Sequence, residues 1–235
     1  AGVESPELFD AIAGQSERLT EEGNTQDMAN TAWAFAAMGE WQHSDVITLL
    51  WSTLCGMIQD PHHVDHRSFL ETHHHQMLGV AWASQHEAPE LDLIASLPVA
   101  TRRAGQATTE ERPSRTHREI SSHLERLGWE HDNEVPVDEE LMGHIMALDM
   151  ACSHTKVAVE FHGPSHYVAR VGREGGELRE NGTTRFKARV LKAAGWRVAT
   201  ISVAEWIDVV GSRDDHSYHM DCFLREKMAG VGVSL

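Results

Sequence analysis

Basic side chains are concentrated in one segment of the sequence, around residues 185–192. Arg185, Lys187, Arg189 and Lys192 cover much of a helix whose remaining positions include apolar residues at helical spacing. Lysine and arginine contact phosphate groups, whereas histidine and tyrosine can stack on unpaired bases. The sequence therefore predicts a surface for RNA, and the candidate contact residues are Arg185, Lys187, Arg189, Arg197, His166, Tyr167 and Arg170.

The net charge of −16 is unevenly distributed along the chain. Residues 1–100 contain 2 basic and 15 acidic side chains, whereas residues 156–200 contain 9 basic and 4 acidic side chains. Phosphate binding depends on local cations, so the overall negative charge does not exclude it. The alternative explanation for the basic residues is a solvated helix face. We favour that explanation for Lys192, which is close to the predicted helix end.

Two apolar runs flank the basic segment and are predicted to be strands. Gly195 is placed to end the helix, and Ser202 with Glu205 forms a capping box for the next one. The predicted order is a strand, a tight turn, a basic helix and a second strand, at residues 157–161, 163–164, 183–194 and 196–203. This order is typical of a βαβ unit.

The region before this unit is predicted to complete the same domain. A capping box at Thr116–Glu119 predicts a helix that continues to Leu127. Two further strands are expected, at residues 129–135 and 145–152.

These residues resemble the RAP domain, which occurs in RNA-associated proteins of mitochondria and plastids. The matching segments are 160–167 (EFHGPSHY), 184–189 (TRFKAR), 191–196 (LKAAGW), Ile201 and 205–206. The resemblance implies RNA binding. It also implies an α/β fold similar to that of restriction endonucleases of the PD-(D/E)xK type.

The endonuclease resemblance implies a set of candidate catalytic residues. Asp149 and Glu160, near the ends of two hairpin strands, would bind a divalent metal such as Mg²⁺, which prefers oxygen ligands. His162 occupies the position of the nuclease lysine, and Lys187 on the facing helix could replace that lysine in space. Glu119, on the preceding helix, is a third acidic candidate.

A structural role is the alternative for the two central carboxylates. Asp149 and Glu160 could cap strand ends or pair with Arg185 and Arg189. We favour this role over catalysis, because a histidine at position 162 departs from the nuclease lysine. We therefore expect no cofactor, and Mg²⁺ only if nuclease activity is present.

Apolar residues at helical spacing predict helices throughout residues 1–97. Residues 27–34 and 76–83 share Met, Ala, Trp and Ala in register and resemble octotricopeptide-type repeats. This similarity predicts a short α-solenoid. Trp33 and Trp82 are expected to fill a helix–helix core. The acidic surface is expected to bind other proteins.

Histidines form two clusters in this part of the chain, at residues 62–66 and 73–75. His62 and His66 are four residues apart, a spacing that could support a metal site. No cysteine accompanies either cluster, and the chain contains 17 histidines. A polar surface is therefore the favoured interpretation.

The predicted fold is α+β, with an N-terminal helical repeat region followed by an α/β RAP domain. Four regions are expected: the repeat region 1–97, a polar linker 98–113, the RAP domain 114–210 and a C-terminal tail 211–235 without assigned function. No apolar run has membrane-spanning length, so no membrane insertion is expected. Three cysteines without paired spacing favour a reducing compartment.

These features predict an organellar RNA-binding protein in the mitochondrial matrix or, alternatively, the plastid stroma. It would be a component of a ribonucleoprotein such as the mitochondrial ribosome, where it would bind or stabilise rRNA. One alternative is a metal-dependent endoribonuclease that acts on organellar RNA. Another is a structural subunit of an organellar complex whose RAP fold no longer binds RNA.

Overall fold

The computed structural model describes residues 5–60, 62, 73–106, 114–142, 146–169, 178–211 and 216–235. The chain divides into two compact units. The first comprises residues 1–109 with 138–145, and the second comprises residues 110–137 with 146–235.

The first unit is helical. Its described helices are α1 (Pro6–Ala13), α2 (Ser16–Glu22), α3 (Thr25–Met38), α4 (Ser44–Gln59), α5 (His74–Glu87), α6 (Leu93–Ser96) and α7 (Val99–Gln106), with 3₁₀ turns at Trp41–His43 and Pro89–Leu91. Asn24 and Asp27 begin α3 with a reciprocal capping box. Gly39 ends this helix in the left-handed conformation, with φ of 75°.

Helix α3 packs against both α4 and α5. Trp82 on α5 is 1% exposed and fills the core of this unit, in agreement with its predicted role. The ring of Trp33 on α3 lies against Gly79, where a Cβ atom would be only 2.4 Å from Trp33 Cζ3. The two similar segments are therefore in direct contact. Their origin as repeats of a solenoid stays a prediction.

The second unit contains a four-stranded sheet with helices. Its described elements are α8 (Arg115–Arg126), β1 (Asp132–Pro136), β2 (Ala147–Cys152), β3 (Val157–His162), β4 (Tyr167–Ala169), β5 (Leu178–Glu180), α9 (Gly182–Ala193), β6 (Arg197–Ser202), α10 (Val203–Gly211) and α11 (His216–Gly230), with a 3₁₀ turn at Pro164–His166. The sheet order is β1-β2-β3-β6. The first three strands are antiparallel neighbours, and β6 runs parallel to β3. Strands β4 and β5 form a separate antiparallel pair.

The predicted βαβ unit is present as β3, α9 and β6. Asn181 begins α9, because its side chain accepts a hydrogen bond from the Thr184 amide at 2.9 Å. Gly195 follows the helix with φ of 84°. The predicted capping box between Ser202 and Glu205 is confirmed, since each residue accepts a hydrogen bond from the other's backbone amide.

Two predicted boundaries before this unit are corrected. Ser114 rather than Thr116 caps α8, through a 3.1 Å hydrogen bond from the His117 amide to Ser114 Oγ. Strand β1 begins at Asp132 rather than at residue 129. The residues before it pack against each other instead of forming a strand: the buried Trp129 stacks on His131 with ring centroids 4.6 Å apart.

The segment predicted to be a linker, residues 98–113, includes helix α7. Thr101 in this helix is fully buried, and Arg102 donates a hydrogen bond to the Ile94 carbonyl. The sequence gives little indication of this helix, because small and polar side chains rather than an apolar stripe make its contacts. Residues 107–113 lie outside the described part of the chain.

The segment predicted to be a separate tail, residues 211–235, is part of the second unit. Helix α11 buries Met220, Leu224 and Met228 in the core that contains Ile120 and Leu124 of α8. Strands β3 and β6 contribute alternate residues to the same core: Val157, Val159, Ala199 and Ile201. Within the described residues, no helix combines the length and apolar character needed to cross a membrane.

Candidate functional site

Asp149 and Glu160 lie side by side where β2 and β3 stop pairing. The last pair in the β2–β3 register is Met150 with Val159, and each carboxylate is the neighbour of one of these residues just beyond that pair. Each carboxylate accepts a hydrogen bond from a backbone amide of the opposite strand. The Asp149 amide donates to Glu160 Oε1 at 3.2 Å, and the Phe161 amide donates to Asp149 Oδ2 at 2.7 Å. The structure thus brings together the two residues proposed as metal ligands.

Lys187 reaches this pair from helix α9. Its Nζ atom donates to Glu160 Oε2 at 2.5 Å and to the Ala147 carbonyl at 2.6 Å. Glu160 is only 3% exposed, so this ion pair lies in the interior of the domain. Lys187 therefore contacts the Glu160 carboxylate from the facing helix, and its equivalence to the nuclease lysine stays a prediction.

His117 and Glu134 lie next to Asp149, and neither was a predicted site residue. His117 Nε2 is 3.0 Å from Asp149 Oδ2, and His117 Nδ1 is 3.6 Å from Glu134 Oε1. Glu119, the acidic candidate on α8, is exposed instead. Helical spacing could have indicated that His117 faces the interior, because it precedes the buried Ile120 and Leu124 by three and seven residues. Glu134 carried no such signal, since its φ of 52° interrupts the regular strand geometry.

Three of these side chains could hold one metal ion. One ligand atom each from His117, Glu134 and Asp149 lie within 4.8 Å of one another. Two carboxylates and an imidazole fit a divalent cation, with the oxygen atoms suited to Mg²⁺ or Mn²⁺. Among the described residues, this is the one group of at least three potential ligands, so the predicted histidine clusters do not form another there. Residues 63–66 of those clusters lie outside the described part of the chain.

His162 and His166 form a second layer beside Lys187. Their rings stack with centroids 4.5 Å apart and planes 8° from parallel. His162 Nδ1 is 3.3 Å from Glu180 Oε1, and His166 Nδ1 is 3.1 Å from Thr184 Oγ1. Tyr167 packs edge-on to His162 at 6.2 Å. His162 is therefore positioned by His166, by Tyr167 and by Glu180 of β5.

Burial and neighbouring charges set the protonation of the site. Burial raises the pKa of Glu160 above its usual value, and the charge of Asp149 adds to this effect against the opposing effect of Lys187. Burial would also raise the pKa of Asp149, but the hydrogen bond and charge of His117 lower it overall. For His117 itself, burial is outweighed by Asp149 and Glu134, so its pKa is raised. Burial and the charge of His166 lower the pKa of His162 to about 4.

The predicted RNA-contacting residues are divided between the interior and the surface. Lys187 points inward to Glu160, and Arg197 is exposed with Nη1 donating to the Val231 carbonyl at 2.7 Å. Arg185 and Arg189 are partly exposed, and the Arg189 guanidinium lies 5.7 Å from the Phe186 ring centre. His166 and Tyr167 are partly exposed beside His162. Arg170 lies outside the described residues.

Comparison with known proteins agrees with the resemblance seen in the sequence. The family model of the RAP domain matches residues 159–219, so the sheet-containing unit carries this domain. A RAP domain-containing protein, chloroplastic, from Oryza sativa subsp. japonica is similar to this chain, with 25% identity over 201 residues. The alignment covers 81% of this chain and 28% of that relative, so the chain spans less than a third of the relative's length.

Proposed function

We propose that this chain binds RNA in an organelle and cleaves it with a divalent metal at the site formed by Asp149, Glu160 and Lys187. The RAP domain at residues 159–219 supports nucleic-acid binding, and the chloroplastic relative supports an organelle. The observation that supports cleavage most strongly is that two carboxylates, a lysine and His117 meet from four different elements. A scaffold that needed only a stable sheet end would not require this combination.

The endonuclease-like architecture belongs to the same proposal. A helix, three antiparallel strands, a crossover helix and a parallel strand follow one another as α8, β1, β2, β3, α9 and β6. This arrangement brings the ends of β2 and β3 beneath helix α9 and beside α8. The proposed site then combines Asp149 and Glu160 on the two inner strands with Lys187 and His117 from the two helices.

Each side chain has a distinct role in the proposed reaction. Asp149 would hold the cation together with His117 and Glu134, and Glu160 lies beside Asp149 on the neighbouring strand. A divalent cation there supplies an activated water and stabilises charge on the phosphate. Lys187 adds a fixed positive charge beside Glu160, where a phosphodiester would gain negative charge. His117 orients Asp149 through its 3.0 Å contact.

Incubation of the full chain with a labelled single-stranded RNA and Mg²⁺ tests the proposal. We expect cleavage that stops with EDTA, in Glu160→Gln and in Lys187→Met. Arg118→Ala is the matched control, because Arg118 is an exposed cation on α8, the helix that carries His117. Its cleavage rate should equal that of the unmodified chain. RNA that stays intact with the unmodified chain, or equal cleavage by Glu160→Gln, would exclude this active site.

A non-catalytic component of a ribonucleoprotein is the second candidate. It is favoured by the way the site residues satisfy one another, since Lys187 is bonded to Glu160 and Ala147, and His117 to Asp149. The acidic first unit would then bind neighbouring proteins, and the RAP domain would bind RNA such as rRNA. Purification of the native assembly separates the possibilities. Co-purifying RNA that the chain does not cleave supports this candidate, and an assembly without RNA supports a purely structural subunit.

The plastid stroma is the proposed compartment, because the relative is described as chloroplastic. The mitochondrial matrix, with the mitochondrial ribosome as the assembly, is the alternative from the sequence resemblance. Imaging of the tagged full-length protein in its native cells distinguishes the two compartments.

A further inference from the structure

A cavity of about 620 Å³ begins at the Glu160–Lys187 pair and extends along the sheet between α9 and the residues that follow α11. Its volume lies in the range of roughly 300–1,000 Å³ that is typical of small-molecule sites. Glu160, His162, Val198 and Thr200 line the sheet side of this cavity. The rest of the lining comes from α9, the turn after it, and the chain end: Thr184, Lys187, Ala188, Leu191, Lys192, Trp196, Arg197, Gly230, Val231 and Gly232.

The cavity combines apolar walls with positive charge. Leu191, Val198 and Val231 provide aliphatic surface, and Trp196 provides an aromatic ring. Among the described lining residues, Glu160 is the one carboxylate, and Lys187 already neutralises it. Lys192 and Arg197 then leave an excess of two positive charges, and both are exposed at the rim. This chemistry suits a ligand with a flat apolar ring and a phosphate group.

We infer that this cavity binds one nucleotide of a single-stranded RNA, next to the phosphodiester held at Glu160 and Lys187. The inference rests on the proposed function and adds the substrate class to it. The base would lie against Leu191, Val198 and Trp196, and its phosphate would contact Lys192 and Arg197. A base in a duplex is stacked and paired, so its insertion between the walls of this cavity requires an unpaired strand.

Ala188 offers a way to block the cavity. It lies on α9, is exposed, and lines the cavity, whereas Ala193 is exposed on the same helix and does not line it. Ala188→Trp and Ala193→Trp are therefore a matched pair of substitutions. Uridine 5′-monophosphate, adenosine 5′-monophosphate and ribose 5-phosphate are the probes, titrated into the full chain by calorimetry.

We expect Ala188→Trp to weaken binding of both mononucleotides at least about tenfold, because stacking of a single base is worth this much or more. Ala193→Trp should remain within about twofold of the unmodified chain. Ribose 5-phosphate, which lacks a base, should bind at least about tenfold more weakly than the mononucleotides. Equal affinity of Ala188→Trp, equal affinity for ribose 5-phosphate, or no mononucleotide binding would overturn the inference.

Photocrosslinking gives a result that does not depend on folding of the variants. 4-Thiouridine 5′-monophosphate is irradiated with the unmodified chain, and the crosslinked peptide is identified by mass spectrometry. Crosslinks at residues 188–200 or 230–232 support the inference, and crosslinks elsewhere contradict it. The RNA cleavage assay is independent of both measurements. Cleavage without mononucleotide binding would remove only this inference, whereas mononucleotide binding without RNA binding or cleavage would remove the proposed function.

Discussion

Lys187 Nζ on α9 and Glu160 Oε2 on β3 form a buried ion pair at 2.5 Å, although the two residues are 27 positions apart in the chain. The crossover helix that joins two parallel strands brings them together. The lysine therefore reaches the site from above the sheet, and His162, two residues after Glu160, is free to stack on His166. The sequence argued against catalysis because strand β3 has no lysine after Glu160. Lys187 supplies an amino group beside Glu160 from the helix instead.

Removal of Lys187 should destabilise the second unit strongly. Lys187→Ala leaves Glu160 buried without a cation, and loss of one partner of a buried pair typically costs about 3–5 kcal/mol. Urea unfolding measures the loss, with Lys192→Ala as an exposed control on the same helix that should stay within about 0.5 kcal/mol. The double variant Lys187→Met, Glu160→Gln should recover part of the loss. Equal stabilities of Lys187→Ala and Lys192→Ala would show that the pair contributes nothing.

Divalent cations should raise the thermal midpoint of unfolding. A cation that binds only the folded state at about 100 times its dissociation constant stabilises by about 2.7 kcal/mol. We expect this effect with Mn²⁺ or Mg²⁺, measured by thermal unfolding, and its loss in Asp149→Asn. Asp208→Asn removes an exposed carboxylate of α10 and should keep the full effect. An unchanged midpoint in the unmodified chain at saturating cation would contradict the site.

Stability should fall in acid because of His162. Its pKa is about 4 in the folded protein, below the usual histidine value of 6.5, so the unfolded chain takes up the proton first. The stability that the neutral ring provides is complete above pH 6.5 and is lost as the pH decreases from about 6.5 to about 4. A shift of this size corresponds to about 3 kcal/mol.

Urea unfolding of His162→Gln across this pH range tests the assignment. The variant should lose less stability than the unmodified chain between the two ends of the range. His219→Gln, at an exposed histidine of α11, should behave like the unmodified chain. Parallel pH curves for all three proteins would be inconsistent with a buried neutral His162.

The contact between Trp33 and Gly79 makes a fourth stability prediction. A methyl group at position 79 would be 2.4 Å from Trp33 Cζ3, so Gly79→Ala should overpack the first unit and cost about 1–3 kcal/mol. Gly56→Ala is the control, because a Cβ atom there meets nothing within 4 Å in the helix α4. It should stabilise by about 0.5–1 kcal/mol through helix propensity. Thermal unfolding of both variants decides the matter, and a stabilising Gly79→Ala would disprove the close packing.

The sequence predicted those features of the fold that depend on residues close together in the chain. Caps at Asn24, Gly195 and Ser202 have side chains or φ angles that act within one helical turn, so they were predictable. The proximity of Asp149 and Glu160 was also expected, because the endonuclease resemblance implies one carboxylate on each of two hairpin strands.

The remaining parts depend on contacts between distant residues. His117 meets Asp149 only after α8 packs on the sheet, and Glu134 reaches it through an irregular backbone conformation at φ of 52°. Helix α11 was missed although Met220, Leu224 and Met228 recur every four residues, because charged residues interrupt that stripe and lower its apparent apolarity. Helix α7 was missed because its buried residue is a threonine.

The amide hydrogen bonds accepted by Asp149 and Glu160 affect how related sequences should be interpreted. Both carboxylates finish the pairing of β2 with β3 in this chain, so they contribute to its fold whether or not it turns over a substrate. An acidic pair at the matching positions of a homologue is consequently not by itself a mark of an enzyme. Variation at the counterparts of Lys187 and His117 is the better discriminator between hydrolases and inert paralogues.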